Sequence, residues 1–130
     1  MDTITKAAPL VARILLALMF VLAGVAKLMD PASNAGYFEF LGLPAPGILV
    51  YVVGLFELIG GLALIAGFQA RIAAIALAVF SIAAALLAHN NFADQMQMTM
   101  FLKNLAVAGG LLLVTANGAG AFALDKRASA

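Results

Sequence analysis

A single acid, Glu57, stands inside the run Val52 to Phe68, V-V-G-L-F-E-L-I-G-G-L-A-L-I-A-G-F, which is otherwise free of charge. Gly54, Glu57, Gly61 and Leu64 recur at three- and four-residue spacing, so on a helix they share one narrow face. The acid then looks out of a smooth groove that another helix can approach closely. A carboxylate facing lipid is costly, whereas one facing other helices, a cation or a polar ligand is tolerated. This run therefore has to sit inside a bundle.

The rest of the chain supplies that bundle. Hydrophobic residues make up 65% and charged residues 10%, against roughly half and a quarter in soluble domains, so the chain is an integral membrane protein. Its 130 residues form a single domain, 1–130, with room for about four spanning helices of ~20 residues. The formal charge of +1 comes with no basic stripe, which excludes a nucleic-acid partner. With no cysteine, disulfides, Cys-ligated zinc, iron–sulfur clusters and thiolate nucleophiles are excluded as well.

In chain order, the first span is expected over 9–28, with Pro9 in its first turn and Arg13, Ala17, Phe20, Gly24 and Lys27 on one face. A cleaved signal peptide ending near Gly24-Val25-Ala26 is the rival reading; three equally apolar segments follow, which favours a retained helix. Asp30-Pro31 breaks this helix, and Pro44-Ala45-Pro46-Gly47 precedes the next. Between them Ser33 is expected to cap a small helix in the headgroup region, with Tyr37, Phe38 and Phe40 around Glu39. The second span is expected over 48–67 and the third over 71–90, antiparallel neighbours joined by the tight turn at Gly67 to Ala70. The fourth is expected over 98–116, ended by Asn117-Gly118. The fold class is all-α: a four-helix transmembrane bundle with short loops and one small interfacial helix.

Loop charges give the orientation. Lys6, Arg13, Arg71, Lys126 and Arg127 fall on the side of the termini, while Asp30, Glu39 and Asp94 fall on the other, with Lys27 and Lys103 at its helix ends. The positive-inside rule then puts both termini in the cytoplasm, for a multi-pass protein of a bacterial-type inner membrane. Tyr37, Phe38, Phe40, Tyr51, Phe92 and Phe101 gather at the outer boundary as an aromatic belt.

Each polar residue has a structural and a functional reading. Glu57 is either the ion-pair partner of Arg13 or Lys103 or a proton carrier, since an acid inside the membrane is a functional candidate by default. Lys27 and Arg71, near helix ends, suit snorkelling to the lipid phosphates, and Arg13 sits deeper on the Lys27 face. Asp125 could pair with Arg13 or Arg71 and tie down the tail. His89 reads as an interfacial histidine bonded to a loop carbonyl; with Lys27, Lys103 and Asn104 it also crowds the outer end of the bundle. Without a His-x-x-x-His or Glu-x-x-His spacing, no metal site is expected. Gly24, Gly54, Gly60, Gly61 and Gly67 suit close helix packing.

Three segments carry a family likeness. Arg13-I-L-L-A-L-M-F-V-L-A-Gly24-V-A-Lys27-L resembles the opening signature of the DoxX family of small four-helix membrane proteins. Glu57-L-I-G-G-L-A-L-I-A-Gly67, followed by Arg71, is similar to that family's second-helix motif, and Gly118-A-G-A-F-A-L-Asp125 to its closing segment, with Ala123 where Ser is usual. The resemblance implies the four-helix fold. Through relatives associated with quinone detoxification or membrane oxidoreductase complexes, it also implies a redox setting.

Two functions follow. In the first, the protein is an accessory or membrane-anchoring subunit of a redox system. The bundle holds a quinone or similar lipophilic acceptor against a polar cluster of Arg13, Lys27, His89, Lys103 and Asn104, and Glu57 handles a proton. No haem-ligand pair, flavin or nucleotide motif is present in the sequence, so electrons come from a partner protein or a bound cofactor. In the second, the protein is a non-catalytic scaffold or small-molecule carrier whose polar seam is structural. Four helices without inverted repeats make a full transporter only by forming a homo-oligomer.

Overall fold

Helix α1 (Thr3–Met29) starts well before Pro9, because the Asp2 side chain accepts the Thr5 N–H and caps it. Pro9 therefore lies inside the helix. The computed structural model describes residues 2–125, so Lys126 and Arg127 lie outside the described residues. After Asp30 comes the short α2 (Pro31–Phe40), with Pro31 at its first position and Asp30, in place of the expected Ser33, accepting the Ser33 N–H as its cap. Helices α3 (Pro46–Ala66), α4 (Ala70–Ala88) and α5 (Gln95–Asn117) complete the set among the described residues. Asp94 caps α5 through the Met96 N–H, which brings its start three residues ahead of the expected Met98.

Four of the five helices, α1, α3, α4 and α5, are long and apolar enough to cross a membrane. Their outer faces are apolar like their core: Leu15, Leu22, Ile59, Leu62 and Leu113 are exposed, while the charged Arg13 and Glu57 are buried. That distribution is expected where hydrocarbon is the solvent.

Helix α1 packs along α3, and α4 along α5; α3 and α4 touch less extensively, and α1 meets α5 less again. The core between these pairs is built from Ala17, Phe20, Leu64, Leu77 and Leu111. Phe56 and Phe80 join α3 to α4, with ring centroids 5.3 Å apart. The α1–α3 seam is set by glycine. A Cβ on Gly24 would lie 2.7 Å from both the Gly54 carbonyl oxygen and the Leu58 nitrogen, and one on Gly61 would lie 2.7 Å from Val21 Cγ2. These glycines let the two backbones meet. Gly109, by contrast, faces open space.

Gly24→Ala is therefore expected to force α1 and α3 apart and destabilise the protein by about 1–3 kcal/mol. Gly109→Ala should leave stability level or slightly raised. Thermal unfolding of both variants in detergent checks this; equal melting temperatures would contradict the close seam.

Candidate functional site

The stagger of α1 against α3 creates the site. Gly54, eight residues into α3, lies against Lys27, two residues from the end of α1; the Gly54 Cβ position is 3.1 Å from Lys27 Cβ. At 1.5 Å per residue α3 thus projects roughly 9 Å beyond α1. Lys27 is consequently well below the rim of the bundle at the end away from the termini and does not snorkel. Its Nζ lies 2.8 Å from Glu57 Oε1, with side-chain exposures of 15% and 6%, so the two form a buried ion pair. A carboxylate oxygen accepts more than one hydrogen bond, so Oε1 retains acceptor capacity beside the ammonium. The partner of Glu57 is Lys27, not the expected Arg13 or Lys103. Among the described residues this is the sole ion pair.

Lys27 and Glu57 open onto a cavity of about 440 Å³ that also takes in His89, Lys103, Asn104 and Ser81. Its walls are apolar, including Met19, Phe20, Leu49 and Leu87, and α2 contributes Tyr37 and Phe38 to its lining. Of the polar cluster read from the sequence, four members converge here with Glu57; Arg13 is not among them. Asn104, 6% exposed, donates from Nδ2 to the Ser81 carbonyl 3.2 Å away, which fixes α5 against α4. The Ser81 hydroxyl is 2% exposed and has no hydrogen-bond partner. Sequence reasoning passed over Ser81, although it is the one polar side chain within α4 between Arg71 and the helix end. His89 follows the last residue of α4 and makes no side-chain hydrogen bond among the described residues; the expected loop carbonyl is not its partner. Burial, and then the neighbouring Lys103 ammonium, hold its imidazole below the ordinary histidine range, so it is neutral at neutral pH.

Arg13 lies at the opposite end, where its charge is used by the backbone. Nη1 donates to the carbonyls of Leu64 at 2.8 Å and Ile65 at 3.0 Å, and Nη2 to that of Phe122. Leu64 and Ile65 belong to the last turn of α3, whose carbonyls carry the negative end of the helix dipole; that of Leu64 also accepts the Gly67 N–H at 3.1 Å. A buried cation fits that place. Gly67 completes the turn at φ 71, a conformation glycine adopts without strain.

Asp125 mirrors Arg13 across the same turn. Its carboxylate accepts the Gln69 and Ala70 N–H groups at 2.7 and 2.8 Å, capping the start of α4, while the Leu124 and Asp125 N–H groups donate to Ala66 and Gly67 carbonyls. The expected ion pair of Asp125 with Arg13 or Arg71 is replaced by this cap, because two N–H groups free at a helix start take up the carboxylate while Arg13 is committed to carbonyls. Arg71 forms no ion pair among the described residues, and its Nε is buried without a partner. Gly60 packs on Leu77 of α4. Asp125→Ala is expected to cost about 1–2 kcal/mol, read as a lowered melting temperature in detergent; an unchanged value would remove the cap from the account.

A larger cleft of about 670 Å³ runs between α1 and α5 near Pro9, Leu16, Gly110 and Val114. Arg13, its charged member, is already committed to three carbonyls, which leaves Thr5 and Asn117 as the polar groups the cleft offers a ligand. The cavity beside Lys27 and Glu57, smaller but with more converging polar and charged groups, is the better candidate. No cluster of three or more metal-ligating side chains occurs among the described residues.

Comparison with known proteins fits this architecture. The DoxX family model matches residues 8–90, which span most of α1 and all of α2 to α4. The chain is 41% identical over 117 residues to inner membrane protein YqjF of Escherichia coli, covering 90% of this chain and 88% of that one. It is 29% identical over 123 residues to inner membrane protein YphA of the same organism, covering 91% and 88%. No solved structure matches. An apolar four-span bundle with an acid buried in its third helix, matched over more than half its length by the family model and over nine-tenths by an inner membrane relative, belongs to the DoxX family.

Proposed function

We propose that the protein is an accessory or membrane-anchoring subunit of a redox system that handles a quinone or similar lipophilic acceptor in the outer cavity. One observation carries this reading: Lys27, Glu57, Ser81, His89, Lys103 and Asn104 converge on an apolar-walled space of about 440 Å³, within the range of about 300–1,000 Å³ usual for small-molecule sites. A quinone needs a flat apolar slot, donors for its carbonyl oxygens and a group able to pass a proton. The Lys103 ammonium, the Ser81 hydroxyl and the Asn104 amide are the donors, and Glu57, whose Oε1 retains acceptor capacity, is the proton carrier. Electrons are supplied by a partner protein, the bundle contributing the binding site within the bilayer.

The test is menadione added to the full chain in lipid nanodiscs, alone and with membrane extract. Binding by the protein alone, and a faster loss of the oxidised spectrum when extract is present, support the reading. Ala84 lines the cavity, and Ala84→Phe should fill it and weaken binding by about tenfold, or ~1.4 kcal/mol. Absence of binding would leave the polar seam structural, the scaffold reading that the Lys27–Glu57 pair by itself favours.

The same proposal places both termini in the cytoplasm. With Arg13 and Lys27 engaged inside the bundle, Lys6, Arg71, Lys126 and Arg127 are the cations left on the terminal side, against Asp30, Glu39 and Asp94 opposite. Reporter fusions after residue 130 and near Gln69 are expected to report cytoplasm, and fusions near Asn34 and Gln95 the exterior; a periplasmic terminus would reverse the orientation.

A further inference from the structure

The cavity is unbalanced in charge. Lys27 and Glu57 neutralise each other at 2.8 Å, and His89 is neutral. Lys103, half-buried, lines the same space and forms neither an ion pair nor a side-chain hydrogen bond among the described residues. The acids at this end of the bundle do not line the cavity. Asp30 and Asp94 cap helix starts, and Glu39 is exposed on α2. One ammonium thus faces an apolar-walled space with no counter-charge, a costly arrangement unless something supplies one.

The neutral groups point the same way. The buried Ser81 hydroxyl is an unpartnered donor, and Asn104 spends only one of its two amide hydrogens, on the Ser81 carbonyl. Lys103, Ser81 and Asn104 together make a donor set suited to an oxyanion. A neutral ligand would leave the ammonium unmatched, and a dianion would add an uncompensated negative charge in low dielectric.

We infer that the cavity selects amphipathic ring ligands bearing one negative charge at their polar end, held by the Lys103 ammonium with Ser81 and Asn104 beside it. This deepens the reading of the cavity as a quinone site and rests on it. Within that class it favours hydroxylated quinones in their ionised form over neutral ones.

The experiment compares 2-hydroxy-1,4-naphthoquinone, ionised at neutral pH, with its neutral analogue 2-methoxy-1,4-naphthoquinone. Both are titrated into the full chain in nanodiscs of zwitterionic lipid, so that membrane surface charge does not contribute. The wild type is expected to bind the anion at least about tenfold more tightly. Lys103→Met should abolish that preference by weakening the anion alone, whereas Lys103→Arg and the remote Lys6→Met should keep it. Equal affinities in the wild type, or a preference that survives Lys103→Met, would overturn the inference while leaving the quinone site standing. Should Lys103→Met fail to fold, the wild-type ratio and Lys103→Gln decide the matter. Failure of both probes to bind would remove the quinone site and the inference together.

Discussion

Lys27→Met is expected to destabilise the protein by about 3–5 kcal/mol, the cost typical of removing one partner from a buried ion pair. The Lys27 side chain is 15% exposed and that of Glu57 6%, so neither charge has water to fall back on. Loss of the ammonium leaves Glu57 in the α1–α3 seam without its counter-charge. The double variant Lys27→Met/Glu57→Met should recover most of the loss, because the uncompensated charge is then gone and the volume is filled. Chemical unfolding in detergent of the wild type, both single variants and the double variant measures the coupling. A double variant as unstable as the sum of the singles would show that the pair is incidental.

Arg13→Gln is expected to be nearly as damaging, on the order of 3–4 kcal/mol. Its guanidinium binds three backbone carbonyls, those of Ile65 and Phe122 and that of Leu64, which also accepts the Gly67 N–H. Hydrogen bonds to a charged group contribute about 1.5–3 kcal/mol each and do not sum when they share one donor. The shorter amide can reach only part of this set, leaving buried carbonyls unpaired where hydrocarbon offers no substitute. The segment from Gly118 to Asp125, held to the α3–α4 turn through Phe122, Leu124 and Asp125, should also exchange its amide hydrogens faster. Unchanged exchange in that segment alongside unchanged stability would show that Arg13 is not its anchor.

The four spans were legible because hydrophobic length in a bilayer leaves few alternatives, and the shared face of Gly54, Glu57, Gly61 and Leu64 is buried as the spacing implies. Helix starts were less so. Asp2, Asp30 and Asp94 each cap a helix earlier than the apolar pattern begins, since the pattern marks where lipid contact starts and the cap marks where hydrogen bonding starts. The convergence of Lys27, His89, Lys103 and Asn104 could be read from their common end of the bundle. The partner of Glu57 could not. It depends on how far α3 projects past α1, a stagger fixed by backbone contact at Gly24 and Gly54 that no single helix encodes. Nor could the partners of Arg13 and Asp125: the tail is tied down by Asp125 as expected, but through N–H groups and carbonyls brought together only when the closing segment folds back on the α3–α4 turn.

The central claim, that the outer cavity holds a quinone-type ligand, is tested most directly by photolabelling. A naphthoquinone carrying a photoreactive azide is bound to the protein in nanodiscs, irradiated, and the labelled residues are mapped by mass spectrometry. Labels are expected on cavity-lining residues from several helices, such as Met19, Phe38 and Leu87, and should disappear in Ala84→Phe or with excess unlabelled menadione. Labels confined to the α1–α5 cleft around Leu16 and Val114, or spread over lipid-facing leucines without competition, would contradict the claim.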